Sequence, residues 1–133
     1  MALRVQVGNR PVLDDDGFAH GVLKSITEVE ATEERQWESV EWQFESPGTQ
    51  KPYVLRLWTS LTLNPPDDKG EMNRLTLVCV RLEIIALDAL ERGEEPELDL
   101  ENLPGLLVRY KLAKEKGLYR IDIPTLEPDT DSE

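Results

Sequence analysis

Apolar and polar residues alternate along the first half of the chain in a way that predicts β-strands. Residues 17–32 are rich in Val, Ile and Thr and predict a long first strand, in which Gly21 is expected to mark a bulge or a sharp bend. In the next segment Val40, Trp42 and Phe44 alternate with polar neighbours. This period of two predicts a second strand with one apolar face.

A third strand is predicted over residues 52–63, and its two faces differ chemically. Leu55 and Leu57 lie on one face, whereas Arg56 and Trp58 share the other, because successive side chains of a strand point to opposite sides. The prolines and acidic residues that follow end this strand, since proline cannot join a hydrogen-bonded ladder.

The pattern then changes to helical spacing. Residues 71–92 predict one helix that ends at Gly93. Its apolar stripe recurs every three or four residues and comprises Leu75, Val78, Cys79, Leu82, Ala86, Ala89 and Leu90. Two short strands follow, at 106–111 and 118–123, joined by a hairpin loop over 113–117.

Two of these assignments leave an alternative open. Residues 37–44 also fit helical spacing, because Trp37, Val40 and Phe44 are three and four residues apart. The apolar run 75–82 also fits a buried strand. The β-favouring residues of the first segment and the length of the second favour strand and helix respectively.

The predicted order is three strands, a helix and two strands. This is the order of a mainly β protein with one helix between strands 3 and 4, a five-stranded Greek-key barrel of the oligonucleotide/oligosaccharide-binding (OB) type. We therefore expect an N-terminal arm at 1–16, an OB-like domain at 17–126 and a flexible acidic tail at 127–133.

Composition fits one domain without a membrane span. The chain has 133 residues, 39% of them hydrophobic, and no run approaches the length needed to cross a bilayer. No signal-peptide pattern is present at the N-terminus, so we expect a cytoplasmic protein. The net charge of −12 repels nucleic-acid phosphate at long range, so nucleic-acid binding would depend on a local basic and aromatic patch.

The residues with catalytic or metal-binding chemistry do not form a recognisable motif. Cys79 and His20 are each the single residue of their type, which predicts no zinc cluster, and we expect Cys79 to be a buried structural thiol. The acidic triplet 14–16 lacks the spacing of a calcium loop. The sequence therefore predicts a non-enzymatic protein with no catalytic residues, no metal and no cofactor.

A candidate ligand surface follows from where the predicted OB barrel would carry its basic and aromatic side chains. Single-strand binding without sequence preference requires cations that follow the phosphates and aromatic faces on which bases stack. Strands 2 and 3 and the first and last hairpin loops form the ligand face of such a barrel. The candidate nucleic-acid-binding residues on these elements are Arg35, Trp37, Arg56, Trp58, Lys111, Lys114, Lys116 and Arg120. The alternative for Trp58 and Trp42 is packing in the core or in an interface.

Four motifs resemble a family of small phage and mobile-element proteins that are similar to single-stranded DNA-binding proteins. They are VEWQF at 40–44, LRLWTS at 55–60, LDLENLPGL at 98–106 and GLYRIDI at 117–123. The resemblance covers roughly residues 17–126. It implies an OB-like barrel that binds single-stranded DNA or RNA during replication or recombination of a mobile element.

Two kinds of protein partner also follow from the sequence. The acidic C-terminus can recruit a basic protein partner. The second apolar set of the helix, which includes Leu77 and Val80, also supports a protein-interaction or scaffold module of the same fold, or a homo-oligomer.

Overall fold

The protein is mainly β, with an antiparallel sheet and two short helices. The computed structural model describes residues 8–30, 33, 38–64, 66–94 and 102–129. The expected tail beyond 129 and the candidate ligands Arg35 and Trp37 lie outside these residues. The strands are β1 (Phe18–Val29), β2 (Ser39–Ser46), β3 (Tyr53–Thr59), β4 (Leu107–Glu115), β5 (Leu118–Ile121) and β6 (Glu127–Pro128).

The sheet is open within the described part of the chain. Its strand order is β3-β2-β1-β4-β5, and β6 pairs with β4 beside this path. No ladder of backbone hydrogen bonds joins the edge strands β3 and β5 among the described residues, so a closed barrel is not formed there. The two edges nevertheless come close, because the rings of Tyr53 and Tyr119 pack edge to face with centroids 6.3 Å apart. We call the gap between these edges the seam.

The strand β1 belongs to both halves of the sheet. Its first half pairs with β4 and its second half pairs with β2. The predicted irregularity is present, but the register shifts between Leu23 and Ser25 rather than at Gly21. Gly21 instead lies where the backbone of β1 passes close to β2, since an added Cβ would be 2.7 Å from the carbonyl oxygen of Glu45.

The core lies on the inner face of the sheet, under the first helix. Trp42 is fully buried, and its indole Nε1 donates a hydrogen bond of 3.0 Å to Thr59 Oγ1. Phe44 packs edge to face against Tyr110 with ring centroids 5.9 Å apart. The strand assignment of 40–44 is confirmed, and the core role of Trp42 is confirmed with it.

The predicted single helix is wrong in its continuity, because two helices occupy this segment. They are α1 (Arg74–Arg81) and α2 (Leu87–Glu91). The break follows from Glu83, whose φ of 60° is left-handed and cannot continue a right-handed helix. The amide of Ile84 donates to the carbonyl of Cys79 at 2.9 Å, which closes α1 with the bonding pattern that glycine usually provides.

The last hairpin is tighter than the predicted loop over 113–117. Residues 113–115 continue β4, and the turn consists of Lys116 and Gly117 alone, with φ values of 53° and 81°. Positive φ at both positions is typical of the two-residue turns that match strand twist. After β5 a short 3₁₀ turn (Ile123–Thr125) interrupts the edge, and β6 then resumes pairing with β4. The first residues of the expected tail therefore pair within the sheet.

The described part of the expected N-terminal arm contacts the β2–β3 turn. The amide of Val12 donates to the carbonyl of Pro47 at 2.9 Å, and Pro11 forms an isolated bridge with Gly48. Neither helix in the described ranges has the length and apolar character needed to cross a lipid bilayer.

Candidate nucleic-acid interface

The outward face of β3 carries two of the predicted ligand residues. Arg56 and Trp58 point away from the core, whereas Leu55 and Leu57 are buried beneath the sheet. The indole of Trp58 leaves 44% of the residue exposed. The prediction that these two side chains share a face is confirmed, and packing of Trp58 in the core is excluded.

A cleft of about 570 Å³ lies at the seam, beside these two side chains. Its walls are β3, the start of α1, and β5 with the turn that follows it. The cleft brings together Arg56, Trp58 and Arg120 from the predicted set and adds Arg74, which sequence reasoning did not include. We call it the seam cleft.

Carboxylates accompany two of the three arginines of the seam cleft. Arg56 Nε lies 3.4 Å from Glu41 Oε1, and Arg120 Nη1 lies 2.7 Å from Glu115 Oε2. Arg74 forms no ion pair with a carboxylate of the described residues, and its Nη1 donates to the carbonyl of Trp58 at 3.2 Å. Arg74 is therefore the arginine of the seam cleft whose charge is least compensated.

The predicted lysines do not line the seam cleft. Lys111 lies on the outer face of β4, with its Nζ 5.2 Å from the ring centre of Phe18. Lys114 Nζ lies 5.6 Å from the ring centre of Tyr119, and Lys116 is exposed in the hairpin turn. The structure thus separates these three cations from the Arg56–Trp58 pair.

The position of Arg74 follows from local sequence. Asn73 is the N-cap of α1, and its Oδ1 accepts a hydrogen bond of 3.0 Å from the amide of Thr76. The cap begins the helix at Arg74 and holds that residue beside the end of β3. An Asn followed by an apolar helical pattern is the signal that could have identified it.

The single histidine belongs to a separate polar cluster that joins the two ends of the described chain. His20 Nε2 lies 2.7 Å from Asp14 Oδ2, and Nδ1 lies 2.8 Å from Asp129 Oδ2. Hydrogen bonds to Asp129 and Asp14 raise the pKa of His20, and partial burial offsets this only in part. The backbone amide of Phe18, together with His20, lowers the pKa of Asp14.

We expect the cluster to stabilise the fold only while His20 is protonated and Asp14 is ionised. A raised pKa gives a contribution that is complete below the unfolded value and is lost as the pH rises through the folded value; the lowered pKa of Asp14 removes it again in acid. His20→Gln should therefore destabilise the protein more at about pH 5.5 than at about pH 9. Urea unfolding of both proteins at the two pH values measures this, and equal losses at both would contradict it.

Cys79 is the buried structural thiol that the sequence predicts. Its side chain is fully buried in α1, and burial raises its pKa to about 12. A thiol with so high a pKa is a poor nucleophile at neutral pH. In the ranges that the structure describes, no group of three or more His, Cys, Asp or Glu side chains is arranged to hold a metal ion.

Comparisons of the chain with protein-family models, with curated proteins and with solved structures found no match.

Proposed function

We propose that this protein binds single-stranded nucleic acid in the seam cleft. The observation that carries the proposal is the convergence of one exposed tryptophan with three arginines, Arg56, Arg74 and Arg120, in a single cleft. Bases stack on an aromatic face while cations follow the phosphates, which is the chemistry of sequence-tolerant single-strand binding.

We propose further that the open sheet is an incompletely closed OB-like barrel. Three features support this: the strand order, the division of β1 between β2 and β4, and the helices between β3 and β4. The Tyr53–Tyr119 contact across the seam is what the closing edge of such a barrel would require. In that fold the outer face of strands 2 and 3 binds the ligand, and Trp58 lies on this face.

The carboxylates near the seam cleft weaken the electrostatic attraction without abolishing it. The Arg56–Glu41 and Arg120–Glu115 pairs are exposed to solvent, and exposed ion pairs contribute little to stability. A phosphate can therefore replace a carboxylate at small cost. The acidic body still opposes binding at long range, so we expect modest affinity with the strand confined to the seam cleft.

Titration with oligo-dT and with oligo-U, followed by tryptophan emission, tests the proposal. Three phosphate contacts predict a log–log salt slope of about −2, so affinity should fall about tenfold to twentyfold between roughly 50 mM and 200 mM salt. The absence of any emission change or mobility shift at low salt and micromolar protein would contradict the proposal. The ratio of the two affinities identifies DNA or RNA as the preferred ligand.

The biological setting is part of the same proposal. The resemblance to small phage and mobile-element proteins supports a cytoplasmic role in replication or recombination. The acidic residues at the C-terminus support recruitment of a basic protein partner.

The second candidate function is a protein-interaction module, and a different surface supports it. A mostly apolar depression of about 450 Å³ is lined by Val22, Pro47, Pro52 and Leu107, and Leu107 is 47% exposed. Light scattering across protein concentration tests self-association. A chain that stays monomeric and still binds oligo-dT would favour the nucleic-acid function.

A further inference from the structure

A second cleft lies on the opposite side of Trp58 from the seam cleft. Its volume is about 380 Å³, and Trp58 and Arg74 line both clefts and form the ridge between them. The remaining walls come from the start of β2, the end of β3 and the N-cap of α1. The polar residues among them are Ser39, Thr59, Ser60 and Asn73. We call this cleft the serine cleft.

Ser39 is the unusual residue of the serine cleft. Its side chain is buried, with the residue 5% exposed, and its Oγ has no hydrogen-bond partner among the described residues. Buried hydroxyl groups in native proteins are nearly always hydrogen-bonded, so an unpaired one requires an explanation. A ligand atom in the cleft that accepts a hydrogen bond from Ser39 provides it.

The other polar side chains of the serine cleft already have partners. Thr59 Oγ1 accepts from Trp42 and donates to the carbonyl of Ser60 at 3.1 Å. Asn73 Nδ2 donates to the carbonyl of Thr62 at 2.7 Å. The donors left for a ligand are therefore the hydroxyl of Ser39 and the remaining N–H groups of Arg74.

The chemistry of these donors favours an anion. The Arg74 guanidinium has only donors and a fixed positive charge, and it pairs with no carboxylate of the described residues. The first turn of α1, which begins at Arg74, contains no acidic residue, so its positive dipole end is not neutralised from within the helix. A group with several acceptor oxygens and a negative charge matches this set.

We infer that the serine cleft binds a backbone phosphate of the strand whose base stacks on Trp58, with Ser39 and Arg74 as its donors. The inference rests on the proposed function and adds the phosphate contact to it. The seam cleft then holds the neighbouring nucleotide, so Trp58 separates two consecutive positions of the strand. Ser39 and Arg74 act by positioning the backbone and carry no base preference.

Two substitutions with different expected signatures test the inference. Arg74→Gln should weaken oligo-dT binding about fivefold to tenfold and make the log–log salt slope shallower by about 0.7, because one counterion-releasing contact is lost. Ser39→Ala should weaken binding about fivefold with an unchanged slope, since a neutral donor releases no counterion. Ser39→Ala removes an unpaired buried hydroxyl, so the variant should fold, and circular dichroism checks this.

Each variant has a matched control in the chain. Ser46 lies on the same strand and also has a buried hydroxyl without a partner in the described residues, but it lines the apolar depression instead. Arg92 is an exposed arginine that pairs with Asp88 and Glu94 beside α2. Ser46→Ala and Arg92→Gln should bind oligo-dT as the wild type does.

Three outcomes would overturn the inference, and they differ from one another. If the wild type binds but Ser39→Ala and Arg74→Gln match their controls, the phosphate site is wrong and the proposed function stands. If both variants lose the same factor on an oligonucleotide with a neutral methylphosphonate backbone, the cleft binds a base instead. If the wild type does not bind oligo-dT, the phosphate site and the proposed function both fail.

Discussion

Trp58→Ala is expected to raise the dissociation constant for oligo-dT by about fivefold to a hundredfold. A base stacked on an aromatic side chain contributes about 1–3 kcal/mol by alanine substitution, and each 1.4 kcal/mol is a factor of about ten. Trp58 is exposed and lies on the ridge between the seam cleft and the serine cleft, so its loss removes the stacking surface shared by both. The emission change on binding should largely vanish with it, because Trp42 is buried in the core.

Two further variants separate stacking from general damage to β3. Trp58→Phe keeps a flat aromatic face and should retain most of the affinity. Val54 lies on the same outward face of β3, is 41% exposed and lines neither cleft. Val54→Ala should therefore bind like the wild type. Trp58→Ala with wild-type affinity would show that no base stacks on this residue.

Gly21→Ala is expected to destabilise the fold by about 1–3 kcal/mol, the usual cost of forcing extra atoms into a packed site. The new Cβ would lie 2.7 Å from the carbonyl oxygen of Glu45 and 3.2 Å from the hydroxyl of Tyr110. The closer contact is with backbone, which cannot rotate away, so β1 and β2 must separate. For a chain of this size the melting temperature should fall by roughly 5–10 °C.

Gly8→Ala is the matched control, because an added Cβ there meets no atom within 4 Å. Thermal unfolding of the two variants under identical conditions measures the difference. Equal melting temperatures for Gly21→Ala and Gly8→Ala would mean that β1 and β2 do not cross closely at Gly21.

The strands were predictable because their signal is local. In β2 and β3 the apolar residues alternate with polar ones, and burial of one face follows directly from that period, as it does for Leu55 and Leu57. The same alternation predicts that Arg56 and Trp58 share the exposed face. The candidate site was therefore predictable where it depends on a single strand.

The break between α1 and α2 was not predictable from periodicity. The apolar stripe continues across Glu83, so the pattern indicates one helix, whereas the backbone turns into the left-handed region at that residue. Glutamate has no general preference for this conformation. The break is set by the packing of both helices against the sheet, which a local pattern does not contain.

The composition of the seam cleft depended on tertiary contacts in the same way. Arg74 is sixteen residues from Trp58 in the chain and reaches it only because Asn73 begins α1 beside the end of β3. Lys111 and Lys114 are close to Arg120 in sequence, but alternation and pairing direct them to Phe18 and Tyr119. Sequence distance therefore misjudged which cations meet the tryptophan.

The open seam has a consequence for the size of base that the protein can hold. In the described part of the chain, side-chain contacts such as Tyr53 against Tyr119 bridge β3 and β5, and no backbone ladder does. The two edges can therefore move apart or together without breaking a main-chain hydrogen bond. A sheet with this elasticity would admit purines and pyrimidines alike, and tolerance of base size would then be a property of the scaffold rather than of any single side chain.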